Sequence, residues 1–146
     1  MIVSLTPEEM LGAVIVGARR MIVSMQAQLA NVAGCERKWD DEIEGAMAEA
    51  ALARETGRFF DPRVGRYGAK DVGDFHVRHT SLPDGCLIIR EKDPDGRYVL
   101  ITGSLGNYRI AGWIDSARAK QMDDCRRAPN GRPAAWFIPQ KRLDPL

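Results

Sequence analysis

Arg97–Tyr98–Val99–Leu100–Ile101–Thr102 is the stretch on which the fold turns. Val99, Leu100 and Ile101 follow one another without polar alternation, so neither face of the segment is left for water. Such a run predicts a strand covered on both sides, inside a layered domain. Just before it, Asp93–Pro94–Asp95–Gly96 is suited to a tight turn, which predicts that residues 86–90 and 97–102 pair as a hairpin. Strand character recurs at 75–80, 108–114 and 135–138. Gly103–Ser104–Leu105–Gly106 reads as a strand-to-strand turn, because no helix follows it to complete a phosphate cradle.

The chain upstream of this region is helical in texture. Thr6–Pro7–Glu8–Glu9 carries an N-cap, a proline at the first helical position and the glutamate of a capping box. Leu11, Val14, Ile15, Ala18, Ile22, Met25 and Leu29 then recur at three- and four-residue steps, predicting an amphipathic helix to about Ala33 with Gly34 as its stop. A second helix is expected from Trp39 or Asp40 to Glu55. Asp40, Asp41 and Glu42 suit its N-terminal dipole, and Gly57 ends it. Its alanines at 46, 48, 50, 51 and 53 permit close approach to another element. A short helix is expected at 116–122. Helices followed by strands place the chain in the α+β class, with N-terminal helices packed on a mixed or mostly antiparallel sheet of four to five strands.

At 146 residues the chain is the length of one domain. The expected division is a single domain over 1–146, with the amphipathic helix in 1–36 and the core in 37–146. Residues 1–60 carry 6 Lys/Arg against 9 Asp/Glu, and residues 61–146 carry 15 against 11. The second half is therefore mildly basic and suits a polyanionic partner. The apolar run from Met10 ends at Arg19 and Arg20, short of the ~20 residues a membrane span requires. Glu8 and Glu9 stand where a signal peptide carries positive charge. Cys35, Cys86 and Cys125 are odd in number and widely spaced, which suits free thiols in a reducing, cytoplasmic setting. A zinc site from His79, Cys86 and Cys125 matches no usual spacing.

Chemistry concentrates in Asp71–Val72–Gly73–Asp74–Phe75–His76–Val77–Arg78–His79–Thr80. As a strand, it points Phe75, Val77 and His79 one way and His76, Arg78 and Thr80 the other. His76 and Arg78 are then same-face neighbours about 6.5–7 Å apart. Gly73 can turn Asp71 back toward that face. Two readings stand side by side: a phosphate-handling site, or a solvated strand face. In the first, Arg78 holds phosphate in bidentate fashion and His76 ligates a metal or transfers a proton. His79 belongs to the apolar face as a hydrogen-bonded core or boundary residue. Glu49 sits at the margin of the second helix's apolar face. It either reaches solvent or leans toward Asp71, where two carboxylates can hold magnesium. Trp113, Trp136, Tyr108 and Phe137 are expected to pack, with base stacking as the alternative.

Three pieces of this text together resemble the PD-(D/E)XK, or restriction-endonuclease-like, nuclease superfamily, and within it small members found in phage and prophage genomes. They are Gly45–Ala46–Met47–Ala48–Glu49–Ala50–Ala51–Leu52, Asp71 with His76–Val77–Arg78, and the hydrophobic strands up to Ile114. The resemblance covers about residues 39–115. It implies a restriction-endonuclease-like core and Mg2+-dependent hydrolysis of DNA phosphodiesters, with Mn2+ as a substitute. Asp71, His76 and Arg78 would be catalytic. Glu49, Asp71 and the Val77 carbonyl would be the metal ligands, and Lys70 and Arg78 would contact nucleic acid. Two departures accompany it: His76 stands where a second carboxylate is usual, and Arg78 where a lysine is usual. Arginine stays protonated and is no general base. A domain that has lost cleavage and binds nucleic acid or a protein partner is therefore the alternative. The greasy surface of the first helix adds the expectation of a homodimer.

Overall fold

In the computed structural model, residues 1–27, 38–64 and 69–146 are described. The end expected for the first helix near Ala33 and Gly34, and Cys35 with it, lies outside the described residues. The chain begins with β1 (Ile2–Ser4), a strand too short for its periodicity to be read from sequence. Helix α1 (Pro7–Gln26) starts where expected. Thr6 Oγ1 accepts from the Glu9 N–H at 3.3 Å, and Glu9 Oε2 accepts from the Thr6 N–H at 2.7 Å. Helix α2 (Trp39–Thr56) ends on Gly57, whose φ of 63° is the left-handed cap glycine provides. The two helices cross in backbone contact. A Cβ built on Gly17 would lie 2.7 Å from the Glu42 carbonyl oxygen and the Ile43 Cα, so only glycine fits there.

The strands form two sheets. They are β2 (Phe75–Thr80), β3 (Leu87–Arg90), β4 (Arg97–Ser104), β5 (Asn107–Asp115), then helix α3 (Ser116–Lys120), β6 (Arg126–Arg127) and β7 (Ala135–Ile138). The first sheet has the order β1-β5-β4-β2 and is mixed, since β2 runs parallel to β4 while the other pairs are antiparallel. The second is antiparallel, in the order β3-β7-β6. β4 is buried on both faces. Val99 and Ile101 join the helix-side core with Ala46, Ala51 and Leu52, and Tyr98 and Leu100 join a second core with Leu87, Ile89, Trp136 and Ile138. The molecule is thus an α+β protein in three layers: helices, mixed sheet, antiparallel sheet.

The expected hairpin between residues 86–90 and 97–102 is corrected by this arrangement, because β3 and β4 lie in different sheets. The turn chemistry at Asp93–Gly96 is used to carry the chain between layers. Asp93 Oδ2 accepts the Arg90 N–H at 2.8 Å, and the Tyr98 hydroxyl donates to the Pro94 carbonyl at 2.7 Å. Gly96 then exchanges hydrogen bonds with Ser116 at the head of α3, its N–H to Oγ at 3.1 Å and its carbonyl from the Ser116 N–H at 2.9 Å. These bonds hold the segment against α3, so β4 pairs with β2 and β5. The turn at Leu105–Gly106 does close a hairpin, β4 to β5, with φ of 53° and 82° at its two central residues. Among the described residues no helix is long and apolar enough to cross a membrane.

Candidate functional site at the open edge of the mixed sheet

β2 is an outer strand, so among the described residues one of its edges has no strand beside it. Asp71 covers that edge. The chain reverses over Val72–Phe75, with the Phe75 N–H donating to the Val72 carbonyl at 3.0 Å and Gly73 at φ 58°. The reversal brings Asp71 Oδ2 to the Val77 N–H at 2.7 Å. Gly73 therefore returns the acid to the strand, as its position suggested. Burial pushes the Asp71 carboxyl above its ordinary range, opposed by the Val77 N–H and then by His76, Arg78 and Arg20.

Glu49 does not reach solvent. It is 7% exposed and gripped in bidentate fashion by Arg20 of α1, Nη1 to Oε1 at 2.7 Å and Nη2 to Oε2 at 2.8 Å. Arg20 Nη2 also donates to the Asp61 carbonyl at 3.4 Å, and its charge acts on Asp71 as well as on Glu49. Arg20 thus sets its positive charge against both carboxylates. Burial pushes the Glu49 carboxyl from an ordinary 4.5 up to about 7, against the pull of Arg20. A carboxyl raised on folding holds a proton that the unfolded chain releases. The stability Glu49 contributes is therefore full below pH 4.5 and is lost as pH rises toward about 7. Denaturant melts of wild type and Glu49→Gln across this window are expected to differ in slope, with the wild type losing stability relative to the variant as pH rises. Parallel curves would contradict it.

His76 and Arg78 share the face opposite Phe75 and Val77, as the alternation predicted. The His76 ring stacks on Tyr98, centroids 4.8 Å apart, and Arg78 lies over the same ring at 5.0 Å. This face is interior, however, and the solvated-strand reading fails for His76, which is 4% exposed. Its Nε2 is buried without a hydrogen-bond partner among the described residues. Gly96 roofs the ring: a Cβ there would stand 3.3 Å from Nε2 and 3.4 Å from Lys70 Nζ. Burial holds the His76 pKa below its usual value, with Asp71 opposing. Arg78 is engaged by Asp93 (Nη2 to Oδ2, 2.8 Å) and donates through Nε to the Ile88 carbonyl at 3.4 Å.

Asp71, His76, Arg78 and Lys70 are therefore neighbours, with Glu49 reached through Arg20. Among the described residues no three His, Cys, Asp or Glu side chains are grouped to hold a metal ion. The zinc combination is likewise not formed. His79 Nε2 is bonded to the Gly103 carbonyl at 2.8 Å, and Cys125 is buried in the second core. Arg20 was missed as a site residue. The available signal was its place on the α1 face shared by Ala13, Val16, Gly17 and Ser24, where a guanidinium demands a buried acid.

A second polar surface lies on the outer face of the antiparallel sheet. Leu87, Ile89, Trp136 and Ile138 point inward, so the half-buried Ile88, Arg90 and Phe137 lie on the other face, together with Ala135, which its neighbours bury. The register sets Arg90 opposite Ala135 and Ala135 opposite Arg127, and Ile88 opposite Phe137 in the next row. With strands about 4.8 Å apart, the two arginines flank Ala135 across about 10 Å. Neither has a carboxylate partner among the described residues, while Glu91 at the rim pairs with Arg126. Of the four aromatics weighed for stacking, Trp136 is buried beneath Arg126 and Tyr108 is buried on Glu44. Trp113 is held by Phe75 and the Pro145 carbonyl, which leaves Phe137 facing outward. No family model matches the chain, and no curated protein or solved structure matches it.

Proposed function

We propose that this domain binds nucleic acid without cleaving it, on a restriction-endonuclease-like core whose acidic site is closed by its own arginines. The observation that carries the reading is the contrast between the two surfaces. At the open edge of β2 the acids are already answered: Glu49 by Arg20, Asp93 by Arg78 and Asp71 by the Val77 N–H. On the outer face of the second sheet, Arg90 and Arg127 have no acid to answer them among the described residues and stand beside an outward phenylalanine. Arginines fix phosphates, and an aromatic ring accepts an unstacked base, which favours single strands over duplex.

Anisotropy of a labelled oligothymidine across a salt series tests this. Arg127→Ala is expected to weaken binding and to reduce the salt slope by about 0.7–1. Phe137→Ala is expected to cost about 1–3 kcal/mol with single strands and little with duplex. Absence of binding at low salt, or binding indifferent to Arg90, Arg127 and Phe137, would sink the proposal.

One observation favours a second reading, metal-dependent phosphodiester hydrolysis. Nε2 of His76, buried beside Asp71 and without a partner among the described residues, is the kind of atom a catalytic cation uses. In that reading Asp71, His76 and Arg78 act on a DNA phosphate with Mg2+ or Mn2+, and Arg20 releases Glu49. Gel assays with either metal decide between the two: intact DNA supports binding alone, and cleavage enhanced by His76→Glu supports hydrolysis.

A further inference from the structure

We infer that α1 pairs with a second copy of this chain along the face it turns away from its own core. The inference is independent of the nucleic-acid reading. Helix α1 buries Ala13, Val16, Gly17, Met21 and Ser24. On the other side Leu11 is 62% exposed, Ile15 60%, Ile22 47% and Met25 56%. With Ala18 between them, the spacing is four, three, four, three, which is the seam of a helix that meets another helix. Isoleucines take one set of alternate positions, and leucine, alanine and methionine the other.

Beside this ridge runs an open groove of about 550 Å³, lined by Gly12, Ala13, Val16, Ala53 and Phe60. A Cβ on Gly12 would meet nothing within 4 Å, so the groove's near wall is free. A ridge and an adjacent groove on one surface are what a two-fold interface needs, because each copy must supply both the protrusion and the recess.

Size and charge point to the same occupant. The four exposed side chains leave on the order of 400 Å² uncovered per copy, about half of the ~800 Å² per partner that a standard interface buries. The flanks of the stripe, Glu8, Gly12, Arg19 and Gln26, are exposed and supply the remainder. They carry one acid and one base, and in the groove Arg54 is paired with Glu9 and Arg58 with Asp74, so two copies meet without net repulsion. A helix that lies on a lipid surface is instead rich in Lys and Arg along its polar margin.

Sedimentation velocity on the full chain, from low micromolar to near-millimolar concentration, tests the inference. The wild type is expected to shift from monomer to dimer. Ile15→Glu with Ile22→Glu is expected to stay monomeric over the whole range with unchanged circular dichroism and melting, since both positions are exposed. Gly12→Trp, which fills the groove and leaves the ridge intact, is expected to weaken the dimer about tenfold or more. A wild type that stays monomeric throughout, or a double variant that dimerises like it, overturns the inference. A monomeric wild type that floats with anionic vesicles would do so as well, by giving the stripe to lipid.

Discussion

Arg20→Ala is expected to destabilise the protein by about 3–5 kcal/mol at alkaline pH, where Glu49 is ionised, the cost of leaving one partner of a buried ion pair behind. Both oxygens of Glu49 are bonded to this guanidinium, and the side chains are only 19% and 9% exposed. The penalty should shrink on acidification. Glu49 is already raised to about 7, and without Arg20 it rises further, so it accepts a proton and ceases to be a buried charge. Adding Glu49→Gln to Arg20→Ala should recover part of the loss, giving a coupling that a double-mutant cycle measures directly. Magnesium added to Arg20→Ala should leave its melting temperature unchanged if Glu49 and Asp71 do not share a metal. A rise specific to the variant would instead show that Arg20 occupies a cation site, and would revive hydrolysis as the function.

Leu100→Ala is expected to cost about 2–5 kcal/mol, in the range for a large aliphatic side chain truncated in a core. Leu100 is 1% exposed and stands between the mixed sheet and the antiparallel one, with Leu87, Ile89 and Ile138 in the same cluster. Its neighbour Ile101 points into the helix-side core. The two truncations should therefore loosen different layers. Hydrogen exchange should quicken in β3 and β7 for Leu100→Ala, and in α2 for Ile101→Ala. The outer face proposed to bind nucleic acid rests on β3 and β7, so the first change should weaken binding more than the second. Equal exchange patterns in the two variants would mean that the layers are not separate packing units.

The class of the fold could be read because it depends on local patterns. The capping box at Thr6, the stop at Gly57 and the doubly apolar run in β4 each fix a backbone state through neighbours a few residues away. Which strands pair was not legible. Asp93–Pro94–Asp95–Gly96 favours a reversal in any context, but its bonds to Ser116 decide that the reversal changes sheets. The site divides in the same way. Alternation along β2 placed His76 and Arg78 on one face and His79 on the other. It did not say that the His76 face is interior, because that depends on Tyr98 and on the second sheet above it. The pairing of Glu49 with Arg20 spans 29 residues and joins two helices, and no periodicity within either helix encodes it.

The placement of β1 has a consequence for how the chain matures. Ile2, Val3 and Ser4 pair with Arg109, Tyr108 and Asn107, and the Leu5 N–H donates to the Gly106 carbonyl at 2.8 Å. Strand β1 thus finds its neighbour only after the hairpin at Leu105–Gly106 has left the ribosome. Until then α1 and α2 can form and pack, since their contacts are nearer in sequence, but the edge they anchor is unlatched. Contacts of such long sequence separation close late and slowly, because loop entropy is lost before they reward it. A nascent chain stalled short of residue 107 should remain open to proteases around Thr6, and release of a few more residues should close that window.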